Sequence, residues 1–327
     1  MYRYSGEIMI YSCSMFLNEN DVLEIKINNH WDRVDKFIIV EASQTHTGDS
    51  KPYNFDRERF KKYESKLVYL QIGNLDDLAK EEPDLVCPAL TQAHAMNPNE
   101  NTPDWIRDSV HIGKVIRLAE EHGARDDDIL IVDGCDEIIN SSAFDYVEDI
   151  FAAKKTFRPM TNGSININPT IWLDPLFGFE VYNYYYKINL RPKGSGKITL
   201  SMATTLRNLK IIPVATLRHF SICTHLPVPN SGWHFGFLDN GDGDLALQKF
   251  KSWAHSKDKN TDYYSTVNTK SEAIDRIFTN FSMSVVKVEE GTHPRWLVDN
   301  LDKFDYLLYK PALFRDTPFN QDISTEG

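Results

Sequence analysis

The residues best suited to chemistry stand at the end of an apolar segment. Residues 129–132 read Ile-Leu-Ile-Val, and Asp133, Asp136 and Glu137 follow within five residues. Four β-favouring apolar residues are typical of a buried parallel strand, and ligands in open α/β sheets bind beyond the carboxyl ends of such strands. Carboxylates suit Mg2+ or Mn2+, and such an ion can hold the diphosphate of a nucleotide sugar. The segment therefore indicates a metal site; the alternative is a solvated acidic turn that caps a helix beginning near Ser141.

The elements that must position these carboxylates alternate between strands and helices, which favours an α/β fold with a mostly parallel sheet. Apolar alternation predicts strands over residues 7–13, 37–40 and 67–72, and helical spacing predicts helices over 21–29, 56–63 and 103–122. Residues 81–101, with three prolines, predict a loop over one face.

The pattern changes after Asp136. A helix is predicted over residues 141–153, an aromatic strand-like region over 165–188, and helices over 245–255, 271–278 and 295–304. The basic, glycine-containing stretch 191–197 lacks the spacing of a phosphate-binding P-loop, and we interpret it as a flap.

Composition excludes several classes of protein. The 327 residues are 41% hydrophobic and carry a net charge of -11, which disfavours a general nucleic-acid coat. Four cysteines far apart predict neither a zinc cage nor a disulfide framework. The chain has no apolar signal region at its start and no stretch long enough to span a bilayer, so we expect a cytoplasmic, unsecreted protein.

Five segments, in order, resemble glycosyltransferase family 17, whose known members transfer N-acetylglucosamine in β-1,4 linkage to N-glycans. They are FLNENDVLEI at 16–25, FIIVEA at 37–42 with THTGDSKP at 45–52, the acidic strand at 129–137, YNYYY at 182–186, and GWHF at 232–235 with KFKSWAH at 249–255. The resemblance thus covers about residues 8–258.

This resemblance implies a GT-A fold, a Rossmann-like, mostly parallel sheet flanked by helices, with a β-rich and helical acceptor side. Residues 1–155 would bind the nucleotide sugar, 156–258 would form the acceptor-side half of the same domain, and 259–327 would be a C-terminal helical extension. The implied reaction is a metal-dependent, inverting transfer from a nucleotide sugar, with a UDP-sugar as the expected donor and Mn2+ or Mg2+ as the cofactor.

The implied metal ligands are Asp136, Asp133 and His234. One departure stands out, because the family writes its metal motif as Ser-Asp-x-Asp-Glu, and Gly134 takes the place of the first family aspartate here. Asp136 keeps its place and is the first choice of ligand. Asp133 would reach the metal or the ribose only through an unusual turn at Gly134. His234 would complete the coordination or contact the diphosphate; the alternative is a histidine hydrogen-bonded beneath its neighbouring tryptophan.

The predicted donor-binding residues are Glu41, Thr47, Lys51, Arg107 and Asp133. Glu41 ends the second strand, where a ribose contact is expected, although it could equally be a solvated cap. Thr47 and Lys51 belong to the segment that resembles the family. Arg107 begins a basic stripe on the predicted long helix that could face a phosphate; solvated charge is the alternative.

An inverting transfer needs a general base for the acceptor hydroxyl, and a carboxylate is the expected type. Asp239, Glu180 and Asp174 are the candidates, with Asp239 preferred because it lies closest to the Gly-Trp-His segment. Each is also a common turn or cap residue.

The expected partners are a nucleotide sugar and a hydroxyl acceptor on a glycan or another cytosolic molecule. A modified base of viral DNA is an alternative acceptor that two basic clusters permit and the net charge disfavours. A metal-dependent phosphohydrolase and a non-catalytic sugar-binding module are the alternatives from other classes. The sequence leaves the oligomeric state open.

Overall fold

The computed structural model describes residues 8–88, 102–157, 172–194, 197–220, 226–254, 267–280, 282–310 and 324–325. The predicted alternation is confirmed in its first half. Strands β1 (Ile10–Phe16), β2 (Lys36–Ala42), β3 (Leu67–Ile72) and β4 (Ile129–Gly134) lie parallel in the order β3-β2-β1-β4. Helices α1 (Asn20–His30), α2 (Arg57–Phe60), α3 (Leu75–Glu81) and α4 (Thr102–Glu121) connect them.

Helices cover both faces of this parallel sheet, so successive residues of each strand enter different cores. In β4, Leu130 and Val132 pack in the core that α4 covers, whereas Ile129 and Ile131 pack against α1 on the other face. This arrangement follows from the two-residue period of a strand, and it explains why the strand is apolar without alternation. Because helices cover both faces of the sheet, a ligand is expected at the carboxyl ends of the strands.

The second half continues the same sheet with mixed strand directions. It contains β5 (Glu137–Ile139), α5 (Ser141–Ala152), β6 (Phe177–Tyr185), β7 (Leu190–Pro192), β8 (Lys197–Thr205), α6 (Leu206–Ile211), α7 (Val214–Phe220) and β9 (Leu226–Gly236). The order beyond β4 is β8-β6-β9-β5, and among the described residues the sheet has eight strands. Strand β6 is parallel to β9, and the other new pairings are antiparallel. Strands of both predicted halves thus share one sheet, as a GT-A-like fold requires.

The remaining described elements pack beside the main sheet. They are α8 (Asp244–Ser252), α9 (Lys270–Asn280), β10 (Met283–Val285), α10 (Arg295–Asp299), a 3-10 helix (Leu301–Leu307) and β11 (Ser324–Thr325). Strands β7, β10 and β11 form a small separate sheet. The predicted flap over 191–197 is wrong at both ends, because Arg191 and Pro192 belong to β7 and Lys197 begins β8. Residues 195–196 and most of the predicted loop 81–101 lie outside the described residues.

Three buried cysteines, Cys13, Cys87 and Cys135, are free thiols in the described part of the chain. None of the helices in those same residue ranges is both long enough and apolar enough to cross a membrane.

Candidate active site

A cavity of about 270 Å³ lies at the carboxyl ends of β1, β2 and β4, where the parallel topology predicts a ligand. Its wall is completed by helix α4, by the end of α8 and by residues of β8 and β9. The lining residues on which its chemistry depends are Glu19, His46, Lys51, Trp105, Asp108, His111, Gly134, Asp136, Glu137, His234 and Lys249.

Asp136 is the centre of the most highly charged part of this cavity. Its Oδ2 lies 3.1 Å from the Lys249 Nζ and 3.5 Å from the His234 Nε2, and Lys249 also contacts Glu19 Oε1 at 2.8 Å. Although burial opposes charge, Lys249 and His234 hold the pKa of Asp136 well below its usual range. Burial likewise disfavours the ammonium, but the two carboxylates raise the pKa of Lys249 above its usual range. This part of the cavity therefore presents an ionised carboxylate and a fixed cation side by side.

The sheet itself holds His234 in place. Strand β9 pairs His234 with Glu137 on one side and with Asn183 on the other. The His234 Nδ1 lies 2.8 Å from the Asn183 Oδ1, and since that oxygen only accepts, we assign the proton to Nδ1. The Nε2, on the other side of the ring, faces Asp136 Oδ2 at 3.5 Å.

Gly134 provides the space into which the Asp136 carboxylate folds. A Cβ at position 134 would stand 2.4 Å from Asp136 Oδ1 and 3.0 Å from Glu137 Oε1, closer than these atoms can approach. The glycine in place of the family aspartate therefore determines where Asp136 lies. Its Oδ1 covers the glycine and its Oδ2 faces His234 and Lys249.

Residues 3–150 match the family model described as Glycosyltransferase family 17. Over these residues, just under half of its length, the chain is similar to glycosyltransferase family 17. The match includes β1 to β4, Gly134 and Asp136, and it ends before β6, so His234 and Lys249 lie beyond it. It confirms the family predicted from the sequence and shows that the protein is a glycosyltransferase. No curated protein matched the chain.

Asp133 has a different place in the glycosyltransferase from the one predicted. It is fully buried behind the cavity, where its Oδ1 lies 2.6 Å from the Lys26 Nζ and accepts a 2.6 Å hydrogen bond from Ser14 Oγ. Burial raises the pKa of Asp133 to about 6, even though Lys26 opposes this rise. The turn that would bring Asp133 to a metal or a ribose is not formed. The Lys26 ammonium instead holds the Asp133 carboxylate in the protein interior, behind the cavity.

The side chains around Asp136 offer a partial set of ligands for a divalent ion. Asp136 Oδ2 and His234 Nε2 converge, and the Asn183 contact orients the imidazole as in known metal sites. No group of three or more potential His, Cys, Asp or Glu ligands exists among the described residues. Two protein ligands still fit Mg2+ or Mn2+, since these ions usually keep waters and bind substrate phosphates. The Lys249 ammonium contacts the same oxygen, Asp136 Oδ2, that would bind such an ion.

Among the four other predicted donor-binding residues, the structure brings Lys51 to the described lining of the cavity. Its Nζ lies 2.6 Å from Glu41 Oε1, and Glu41 is fully buried behind it, accepting hydrogen bonds from Tyr69 and two backbone N–H groups. Thr47 donates to the Lys251 carbonyl. These residues support the cavity wall and leave the contact with a ligand to Lys51.

The predicted basic stripe on α4 is engaged in ion pairs. Arg107 forms ion pairs with Asp76 and Asp104 and donates a hydrogen bond to the His46 carbonyl. It therefore supports the segment that follows β2 from outside the cavity. Lys114 and Arg117, farther along the helix, pair with Glu82. All three basic side chains are partly buried and paired with carboxylates, so neither a phosphate contact nor the alternative of solvated charge describes them.

The three predicted general bases do not line the described cavity. The Asp239 carboxylate caps α8 and the preceding turn by accepting from four backbone N–H groups, at 2.6–3.1 Å. Glu180 pairs with Lys197 at 3.1 Å, and Asp174 pairs with Arg207 at 3.0 Å. The cap role, which was the alternative for Asp239, accounts for all of its contacts.

Sequence reasoning missed several polar residues that line the cavity. Among them are Glu19, His46, Asp108, His111 and Lys249. The local signal for Asp108 and His111 was their spacing of three residues, which places them on one face of a helix. No local signal marked Lys249, whose partner Asp136 is 113 residues away.

Proposed function

We propose that the protein transfers a sugar, with inversion, from a nucleoside diphosphate sugar to a hydroxyl acceptor, and that the donor diphosphate binds beside Asp136 and Lys249. The observation that carries the proposal is the Glu19–Lys249–Asp136 ion-pair group, in which Asp136 is buried and the other two are partly buried, and which faces a cavity at the carboxyl ends of the parallel strands. A glycosyltransferase of this fold class binds its nucleotide there.

Breaking the glycosidic bond leaves negative charge on the departing diphosphate, which must be stabilised where it develops. Lys249 supplies a fixed ammonium at that place, and its partial burial strengthens its interaction with phosphate charge. Asp136 and His234 are the residues that would hold Mn2+ or Mg2+, which when bound would neutralise further phosphate charge. The protein thus places its positive charge, and the residues that would hold a metal ion, at one edge of the cavity. The opposite side is left for the sugar.

Inversion requires a base on the acceptor side of the sugar. Among the described carboxylates that line the cavity, Glu19 is bound to Lys249 and to two backbone N–H groups, Asp108 Oδ1 lies 3.5 Å from the His46 Nδ1, and Asp136 faces the diphosphate. Glu137 lies on the same side of the sheet as its strand partner His234, and its carboxylate accepts from the Ser201 hydroxyl. We therefore propose Glu137 as the base in place of the three acids predicted from the sequence.

The test is a product assay with UDP-, GDP- and CDP-sugars, each with Mn2+ or with EDTA, with and without simple sugar acceptors. Acceptor-stimulated release of the nucleoside diphosphate with an inverted linkage is expected, reduced at least 100-fold in Glu137→Gln. Asp77→Asn, a change at an exposed carboxylate on α3, is the control and should match the wild type. Release of sugar phosphate without acceptor would instead identify a phosphohydrolase, and a product of retained configuration would contradict the assigned base.

A further inference from the structure

Two histidines and one aspartate form a row at the α4 end of the cavity, and the chemistry described above does not use them. His46 follows β2, and Asp108 and His111 belong to α4; all three line the cavity, which gives a solute access to them. The His46 Nε2 lies 3.2 Å from the His111 Nδ1, and the His46 Nδ1 lies 3.5 Å from Asp108 Oδ1. The two imidazoles thus face each other, with the carboxylate behind one of them.

The backbone behind His111 determines which of its nitrogens carries the proton. The His111 Nε2 lies 3.1 Å from the Val40 carbonyl oxygen, which can only accept, so we assign the proton to Nε2. Burial lowers the pKa of His111 to about 3, so the ring is neutral at physiological pH. A neutral ring with its proton on Nε2 has a lone pair on Nδ1, and this lone pair faces His46.

The row is one proton short when both imidazoles are neutral. Its described contacts are to the Val40 carbonyl, between the two rings, and to Asp108, and each of the three needs a proton, whereas two neutral rings supply two. If the His46 proton is on Nδ1, it faces the Asp108 carboxylate, but two nitrogen lone pairs then meet between the rings. If it is on Nε2, a lone pair faces the carboxylate instead. A cation between the rings removes this conflict.

The spacing of the two rings suits a tetrahedral metal ion. Zn2+ binds imidazole nitrogens at about 2.0–2.1 Å, and two such nitrogens of a tetrahedral site are therefore about 3.3–3.4 Å apart. The His46 Nε2 and the His111 Nδ1 are 3.2 Å apart. An ion can thus bind both nitrogens after a shift of a few tenths of an ångström.

The groups behind the two rings are those that support metal-binding histidines in proteins. Such a histidine usually donates its other ring N–H to a carboxylate or a backbone carbonyl, which fixes the ring and makes the binding nitrogen more basic. Asp108 has this position behind His46, and the Val40 carbonyl has it behind His111. Because Asp108 contacts the far side of His46, the row supplies two ligands and leaves the other coordination positions open to water from the cavity.

We propose that the His46 Nε2 and the His111 Nδ1 bind Zn2+, in a site formed by other residues than Asp136 and His234. Imidazole nitrogens suit Zn2+, whereas Mg2+ prefers oxygen ligands such as the Asp136 carboxylate. The two positions in the cavity therefore favour different metals. Zinc binding by the row requires no nucleotide, so it does not depend on the proposed function.

The experiment titrates Zn2+ into the intact chain by calorimetry, with Mg2+ in excess and no nucleotide present. We expect the wild type to bind Zn2+, and His46→Gln and His111→Gln each to bind it more weakly by about tenfold or more, since each loses one of two ligands. Asp108→Ala should weaken binding by about tenfold, because it removes the group that orients His46. His122→Gln, at a histidine that directly follows α4 and does not line the cavity, is the matched control and should bind as the wild type does.

The variant His234→Gln separates this site from the one beside Asp136. Its affinity for Zn2+ should equal that of the wild type, and zinc binding that is lost in His234→Gln would place the ion beside Asp136 and overturn the inference. Absence of zinc binding in the wild type, or unchanged affinity in His46→Gln, would overturn it as well. Circular dichroism establishes that the variants are folded. If His111→Gln, at a buried position, is not, His46→Gln, at a partly exposed one, gives the same comparison.

Discussion

The replacement Lys26→Met tests how the end of β4 is held below the active site. The Lys26 Nζ lies 2.6 Å from Asp133 Oδ1, 2.8 Å from the Gly134 carbonyl and 3.0 Å from Ser14 Oγ, and both charged side chains are fully buried. Removing one partner of a buried ion pair leaves the other uncompensated, which costs about 3–5 kcal/mol of unfolding free energy. We expect that loss at pH 7.5, measured by urea denaturation.

The pH dependence of the loss gives a sharper test. The pKa of Asp133 is already raised to about 6 by burial, and without Lys26 it must rise further. A carboxyl whose folded pKa is above its unfolded value loses stability as pH rises, at about 1.4 kcal/mol per pH unit between the two values. Between pH 6.0 and 7.5 the unfolding free energy of the variant should fall at about this rate, whereas that of the wild type should change little, because the folded pKa of its Asp133 is already near 6. The difference in unfolding free energy between the two proteins should therefore shrink by up to about 2 kcal/mol when the pH is lowered from 7.5 to 6.0.

The double variant Lys26→Met with Asp133→Asn provides the control, because the amide removes the uncompensated charge and keeps an acceptor for Ser14. It should be at least about 2 kcal/mol more stable than Lys26→Met alone at pH 7.5, which is a coupling within the range measured for contacting residues. A loss below about 1 kcal/mol in the single variant, the same loss at both pH values, or additive effects in the double variant would refute the reasoning.

Three further predictions concern the site and the stability of the fold. Gly134→Ala should weaken nucleoside diphosphate binding at least tenfold in calorimetry, because its Cβ would stand 2.4 Å from Asp136 Oδ1 and displace that carboxylate; unchanged affinity would show that Asp136 does not contact the ligand. Lys249→Met should bind Mn2+ more tightly than the wild type in the absence of nucleotide, since the ammonium no longer shares Asp136 Oδ2, and an equal or weaker Mn2+ affinity would contradict the geometry. Burial lowers the pKa of His293 to about 4 from an ordinary value near 6.5, so its stabilising contribution is complete above pH 6.5 and declines below it, by about 2 kcal/mol at pH 5. The melting temperature of His293→Asn should therefore fall less than that of the wild type between pH 7 and pH 5, and parallel declines would count against a neutral buried His293.

The parallel half of the fold could be predicted from the sequence because its strands and helices differ in the spacing of their apolar residues. Buried strands such as Ile129–Gly134 begin as short apolar runs, and α4 repeats its apolar residues at helical spacing over twenty residues. Strand β8 (Lys197–Thr205) was missed because it follows glycines and is rich in Ser and Thr, a composition that also suits a loop. Its identity as a strand comes from pairing with β4 and β6, which are distant in sequence.

The position of the site could be predicted from the sequence, but only some of the residues that form it could. The sequence places three acids at the end of the apolar run 129–132, yet only the fold shows that Asp133 contacts Lys26 behind the cavity while Asp136 lines it. Asp239 was preferred as a base for its nearness in sequence to His234, whereas its contacts show a helix cap. Such roles depend on long-range partners, and no local pattern reports them.

The most direct test of the central claim is the calorimetric titration of UDP and GDP into the wild-type protein and into Asp136→Ala, each with Mn2+ and with EDTA. Asp77→Ala, at an exposed carboxylate outside the cavity, serves as the control. We expect at least one of these nucleotides to bind the wild type and the control more tightly with Mn2+ than with EDTA, and Asp136→Ala to lose this difference. Binding that is the same in Asp136→Ala as in the wild type under both conditions would contradict the placement of the donor diphosphate beside Asp136.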